Sequence, residues 1–188
     1  MRLFVALEIP RVVRDNLATL INDLRTAAPK TRWVRPESIH VTLKFIGEVP
    51  PEKVADIRGA LSGVSSEHAA ELSFHGLGFF PNAKRPSVLW AGIDASPNLQ
   101  SLARDIERSL EKLGFPREQR DFTPHLTLAR FNEPRPQPAL QAAVEKQADQ
   151  SLGRFEVAEF FLFESKLSPQ GAKYRKLAAF PKSVPRIV

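Results

Sequence analysis

The sequence contains no cysteine. That absence excludes disulfides, thiolate metal sites and a cysteine nucleophile, and it is compatible with a reducing compartment. No stretch approaches the roughly 18 consecutive apolar residues of a membrane span. The apolar run within Met1-Arg2-Leu3-Phe4-Val5-Ala6-Leu7-Glu8 is too short for a secretory signal. A cytoplasmic protein without membrane attachment is the expectation. Also missing are the G-x-S-x-G elbow of serine hydrolases and the phosphate loop of nucleoside triphosphatases. The G-x-G pair at Gly76 and Gly78 runs into Phe79-Phe80-Pro81 and lacks the third glycine of a dinucleotide fingerprint, so it reads as a turn.

What remains is an ordinary soluble composition, 43% apolar and 26% charged over 188 residues, long enough to bury a real core. One domain over 1–188 is expected, in two lobes. The net charge of +6 favours anionic partners such as nucleic acids or phosphorylated molecules. Of the 27 basic residues 17 are arginine, whose guanidinium fork suits phosphate oxygens.

Two short stretches organise the rest, His40-Val41-Thr42-Leu43 and His125-Leu126-Thr127-Leu128, 85 residues apart. Each alternates polar with aliphatic or β-branched residues and reads as a half-buried strand. Residues i and i+2 of a strand share a face. His40 and Thr42 therefore point one way while Val41 and Leu43 point to the core. His125 and Thr127, over Leu126 and Leu128, repeat the arrangement.

Around these strands the element order also repeats. Leu3 to Ile9 reads as a strand, followed by a helix with Val13, Leu17, Leu20, Ile21 and Leu24 on one face, ending before Pro29. The first His-Thr strand runs to Phe45, and a helix opened by Pro50-Pro51 follows it. Strands begin at Leu72 and at Ser87, joined by the basic loop Pro81 to Pro86. Pro97 starts a helix that Gly114 caps. The second His-Thr strand reaches Phe131, and a short helix surrounds Leu140 and Val144. Two strands, Phe155 to Phe163 and Tyr174 to Phe180, close the chain around a basic turn at Ser165 to Lys173. The pattern predicts an α+β fold: a bilobal, pseudo-two-fold duplication with two antiparallel sheets flanking a central groove and helices outside.

Imidazole gives or takes a proton near neutral pH without special tuning. Two imidazoles on opposite sides of one substrate form a general acid and a general base. The Thr42 and Thr127 hydroxyls are placed to donate hydrogen bonds to anionic oxygens between them. That symmetry suits a phosphodiester, where one oxygen arrives at phosphorus as another leaves on the far side. A metal site is disfavoured, because threonine is a poor ligand and cysteine is absent. His68 and His75 lack such a setting and read as surface or loop residues.

The two stretches resemble the paired H-x-T-x signature of the two-histidine phosphoesterase superfamily, and within it the RNA 2′,3′-cyclic phosphodiesterase, or 2′-5′ RNA ligase, family. The resemblance covers nearly the whole chain. It extends through Arg2 to Ala6, Trp33 to Gly47, Thr123 to Arg130, and Ser165, Leu167, Gly171 and Tyr174. It implies a bilobal fold with a basic groove that opens an RNA 2′,3′-cyclic phosphate end with water to give a 2′-phosphate. His125 would be the general base toward water and His40 the proton donor to the leaving 3′-oxygen. Thr42 and Thr127 would hold the non-bridging oxygens. Arg130 is a candidate for neutralising phosphate charge, and Phe45, Tyr174 and Trp33 for stacking on a base. Lys84-Arg85 and the run Lys173 to Lys176 are candidates for tracking an RNA backbone. No metal or cofactor is implied, tRNA is among the candidate substrates, and a monomer is expected. Two other readings use the same residues: reversible 2′-5′ ligation of tRNA halves, and a non-catalytic RNA-binding module.

Overall fold

The computed structural model describes residues 1–64, 70–157, 159–168 and 171–181. His68 therefore lies outside the described residues. In chain order the elements are β1 (Arg2–Glu8), α1 (Arg11–Ala27), β2 (Arg32–Trp33), β3 (His40–Glu48), α2 (Val54–Ser62), β4 (Ala70–Phe80) and β5 (Val88–Ala95). Then come α3 (Pro97–Glu111), β6 (His125–Arg130), α4 (Pro138–Lys146), β7 (Ser151–Val157), β8 (Glu159–Ser168) and β9 (Gly171–Pro181).

The helices form where the apolar spacing places them. Val13, Leu17, Leu20, Ile21 and Leu24 of α1 are all buried, one stripe at offsets of three and four. Helix α3 buries Leu99, Leu102, Ala103, Ile106 and Leu110. Gly114 ends it in the left-handed region at φ 89°, donating to the Glu111 carbonyl while Phe115 N–H reaches Leu110. Among the described residues no helix is long and apolar enough to cross a membrane.

The strands form two antiparallel sheets, a four-stranded one in the order β3-β1-β8-β9 and a five-stranded one in the order β2-β6-β5-β4-β7. In both, the His-Thr strand lies beside the strand that opens its half of the chain. Each sheet draws strands from both halves, so the repeating unit is not itself a lobe. Strand β4 follows the first His-Thr strand in sequence yet pairs with β5 and β7, while β8 takes the corresponding place beside β1.

Leu3, Val5 and Leu7 of β1 share one core with Phe74, Leu89, Ala91, Leu126 and Leu128 of the five-stranded sheet. Burying each of these large side chains stabilises the fold by about 1.5–3 kcal/mol. Phe4 and Ala6, on the opposite face of β1, form a second buried cluster with Phe161 and Phe163. That smaller cluster is the floor beneath the His40 strand.

Three expectations need correction. Gly76 and Gly78 lie inside β4 and make no turn. Gly76, at φ 72°, is the extra residue of a bulge between the His75–Gly92 and Leu77–Ala91 pairs, a conformation that favours glycine. The stretch Phe155 to Phe163 is two strands in different sheets, β7 beside β4 and β8 beside β1. Its apolar pattern runs on because β7 buries alternate residues and β8 then buries Phe160 to Phe163 in succession, and Ala158 between them lies outside the described residues. Finally, most of the expected turn at Ser165 to Lys173 is strand, with Ser165 opposite Tyr174 and Ser168 opposite Gly171. Pro169 and Gln170 lie outside the described residues.

Candidate active site

The two His-Thr strands are built alike. In β3, Ala6 stands opposite Thr42 and Val5 opposite Lys44, so Leu43 is an extra residue. In β6, Trp90 stands opposite Thr127 and Leu89 opposite Ala129, so Leu128 is an extra residue. Each strand thus carries a bulge three residues after its histidine. A bulge reverses the alternation of faces. The fifth residue after each histidine, Phe45 or Arg130, is thereby returned to the face that carries His and Thr.

The imidazoles are oriented by the same device. Nδ1 of His40 lies 2.9 Å from the Ser38 carbonyl, and Nδ1 of His125 lies 2.9 Å from the Thr123 carbonyl. A carbonyl only accepts, so Nδ1 is the protonated nitrogen in each neutral ring. Nε2 of each is left for a reacting partner. One such bond stabilises by about 1 kcal/mol, enough to bias both tautomer and ring orientation.

Strands β3 and β6 run against each other where the two sheets meet. Their His-Thr faces border one seam. The Arg130 guanidinium, from β6, acts across it on His40 and on Tyr174. The structure thus brings together His40, Tyr174 and Arg130; Thr42 and Phe45 share the His40 face of β3, and His125 and Thr127 share the Arg130 face of β6.

The surroundings differ between the two sides. His40 is partly buried in a nest of rings. Phe4 is tilted against it with centroids 4.7 Å apart, Tyr174 stands edge-on at 5.0 Å, and Phe163 lies at 6.4 Å. Burial pushes the His40 imidazole below its ordinary value, and the positive charge of Arg130 adds to this. The Ser38 carbonyl works the other way and loses. Burial likewise raises the Tyr174 phenol, against the lowering influence of Arg130 and Arg2. His125 is exposed at the start of β6, without aromatic neighbours among the described residues. The cation beside His40 disfavours a metal ion there.

Phe45 is 48% exposed, with the Arg2 guanidinium 4.9 Å above its ring, and Tyr174 is 37% exposed. Tyr174 presents its ring beside His40, and Phe45 stacks 6.4 Å from Phe4, which itself packs on His40. Trp33 does neither. Its indole N–H donates to the Ala28 carbonyl, and the ring packs against the core. The run Lys173 to Lys176 is strand, with Arg175 paired to Glu164 and Lys176 to Glu8. Lys84 and Arg85 are exposed, and their backbone N–H groups donate to the Asn82 side chain. His75 is exposed as expected, though on strand β4, where it pairs with Asp94. Trp90, on the same face as His125 and Thr127, was not singled out in the sequence. Its signal was there, since alternation in β5 places Leu89 and Ala91 inward and Trp90 outward.

With this geometry in hand, the chain can be set beside known proteins. A profile of the 2′-5′ RNA ligase superfamily matches residues 13–168. A relative from Archaeoglobus fulgidus named RNA 2′,3′-cyclic phosphodiesterase is 38% identical over 180 residues, covering 96% of this chain and 99% of its own. One of the same name from Methanothermobacter thermautotrophicus is 31% identical over 180 residues, 95% of this chain and 97% of its own. A crystal structure of a Thermus thermophilus protein superposes with a TM-score of 0.82 at 30% identity, over 98% of this chain and all of that one.

Proposed function

Because the chain belongs to the 2′-5′ RNA ligase superfamily, we propose that it hydrolyses RNA 2′,3′-cyclic phosphate ends to 2′-phosphates by paired histidine catalysis, without a metal or cofactor. The observation that carries this reading is the double construction of the seam. Two strands with the same bulge and the same Nδ1-to-carbonyl bond each present an Nε2, a hydroxyl and one further side chain to it. The relatives' shared name supports the substrate class.

Water attacks phosphorus in line with the departing 3′-oxygen. Nε2 of His125, the wetter of the two, takes the proton from water. The Thr42 and Thr127 hydroxyls donate to the non-bridging oxygens, and Arg130 offsets the charge that accumulates there. Nε2–H of His40 donates to the 3′-oxygen as the P–O bond breaks. One water is consumed, a 2′-phosphate and a 3′-hydroxyl result, and the two rings exchange protonation states before solvent resets them. His40 is neutral at pH 7 in the free protein, so its proton arrives with the anionic substrate, whose charge favours the imidazolium. The protein works as a cytoplasmic monomer on RNA, tRNA included, and not at a membrane.

His40→Gln and His125→Gln test this directly. Each is expected to lower kcat on a 2′,3′-cyclic-phosphate oligonucleotide by about 10²–10⁴-fold, while EDTA leaves the wild-type rate unchanged. Turnover retained in either variant, or lost to the chelator, rejects the mechanism. The superfamily's name favours one further reading, the reverse reaction, in which a 5′-hydroxyl takes the place of water and a 2′-5′ bond forms. Joined product from tRNA halves would establish it.

A further inference from the structure

The face that carries His125 holds large side chains that hydrolysis does not use, the exposed Phe80 at one end of β4 and the Trp90 indole next to the motif. Trp90 stands directly opposite Thr127 and shares its face. A Cβ built on Gly78 would lie 2.2 Å from Cζ2 of the Trp90 indole and 2.6 and 2.8 Å from the flanking Cη2 and Cε2. Those distances describe a point beneath the face of the ring; a point beyond its edge would stand farther from the flanking atoms. A Cβ on Gly92 would lie 3.5 Å from Cζ3. The indole therefore lies flat on the sheet, over the bare backbone of β4 at Gly78 and beside Gly92. Glycine inside a strand weakens it and often marks a place where another group comes close.

The ring is partly exposed, and among the described residues no other aromatic ring stacks on its outer face. The field on one side of it is positive. Arg130 stands opposite Val88, two residues along β5, Arg32 stands opposite Arg130, and Lys84 and Arg85 are exposed in the loop between β4 and β5. On the other side the acidic groups are engaged, Asp94 with His75 and Glu71 with Arg154. A flat aromatic surface flanked by cations and next to a phosphate-handling row suits a base of single-stranded RNA. At about 4.8 Å between strands, a ring over β4 stands roughly 10 Å from the backbone of β6. That reach fits the base of the adjoining nucleotide. Tyr174, edge-on to His40, already flanks the reacting end.

Resting on the phosphodiesterase reading, we propose that Trp90 is the stacking platform for the base of the penultimate nucleotide. The groove is thus made for the end of an RNA strand rather than for a free nucleoside cyclic phosphate. The test measures kcat/KM for adenosine 2′,3′-cyclic phosphate and for the dinucleotide ending in the same group, and takes their ratio. Trp90→Leu removes the ring, whereas Gly78→Ala keeps it and drives a methyl group beneath it. Both are expected to lower the dinucleotide-to-mononucleotide ratio about tenfold or more, as the loss of one stack implies. A ratio equal to the wild-type value overturns the proposal.

A second measurement is independent of turnover. The chain has two tryptophans, so Trp33→Phe leaves Trp90 as its only indole. The 2′-phosphorylated dinucleotide is expected to quench that fluorescence strongly and adenosine 2′-phosphate weakly. Equal quenching by both, or none, overturns the platform. If the wild-type protein turns over neither substrate, hydrolysis is rejected, and the quenching still decides whether Trp90 holds a base.

Discussion

The strands that carry His40 and His125 are one backbone device placed in two environments. Position by position, Leu43 and Leu128 bulge, and the Ser38 and Thr123 carbonyls fix the rings. The side chains then diverge. The fourth residue after the histidine is Lys44 in one strand, buried and held 2.8 Å from Glu107 and close to the Pro116 carbonyl. In the other it is the buried Ala129. The fifth is Phe45 in one and Arg130 in the other. Opposite the threonines stand Ala6 and Trp90. A common frame holds each ring through its Nδ1, and burial with the nearby Arg130 lowers how readily His40 holds a proton. The proposed mechanism needs an acid and a base at once, and two matching strands in matching surroundings would serve it less well.

The fifth position is where the comparison breaks most sharply. If Arg130 offsets charge on the phosphate while Phe45 offers only ring surface, Arg130→Met should cost about a hundredfold or more in kcat/KM. Phe45→Met should cost only a few-fold, mostly through KM. Steady-state kinetics on one cyclic-phosphate oligonucleotide decides it. Similar losses would mean that the two positions do one job.

The threonines should show the opposite pattern. They occupy the same place in the shared frame, so Thr42→Val and Thr127→Val are each expected to lower kcat by about 10–100-fold, the worth of a hydrogen bond to a charged group. The two losses should agree within a few-fold. A loss confined to one variant would show that a single strand handles the phosphate oxygens.

Much of this was legible in the sequence. Period-two alternation placed His and Thr outward on both strands, and the repetition of the motif marked the face as built to hold something. The bulges were not legible. Counting by two carries Lys44 and Ala129 to the seam and Phe45 and Arg130 to the core. Only the ladder registers reveal the extra residue at Leu43 and Leu128 that reverses them. Trp90 over Gly78 escaped for a related reason. Alternation in β5 marks Trp90 as outward, but the hairpin register that sets it over Gly78 is a property of the fold. The passage from β7 to β8 was hidden because the alternating residues of β7 lead into the continuous run Phe160 to Phe163 with no glycine or proline between them.

The smallest expected effect is on the pH dependence. The proposed mechanism needs one ring charged and the other neutral, so the two limbs of the kcat/KM bell belong to the pair and do not by themselves name the donor. Burial and then Arg130 hold the His40 imidazole below its ordinary value of 6.5, so one limb should lie below pH 6.5. Arg130→Met removes a cation that opposes protonation of His40 and should move that limb toward higher pH, whatever it does to the plateau. A limb that stays in place in the variant would show that Arg130 does not act on the His40 ring, and the asymmetry between the two strands would then rest on burial alone.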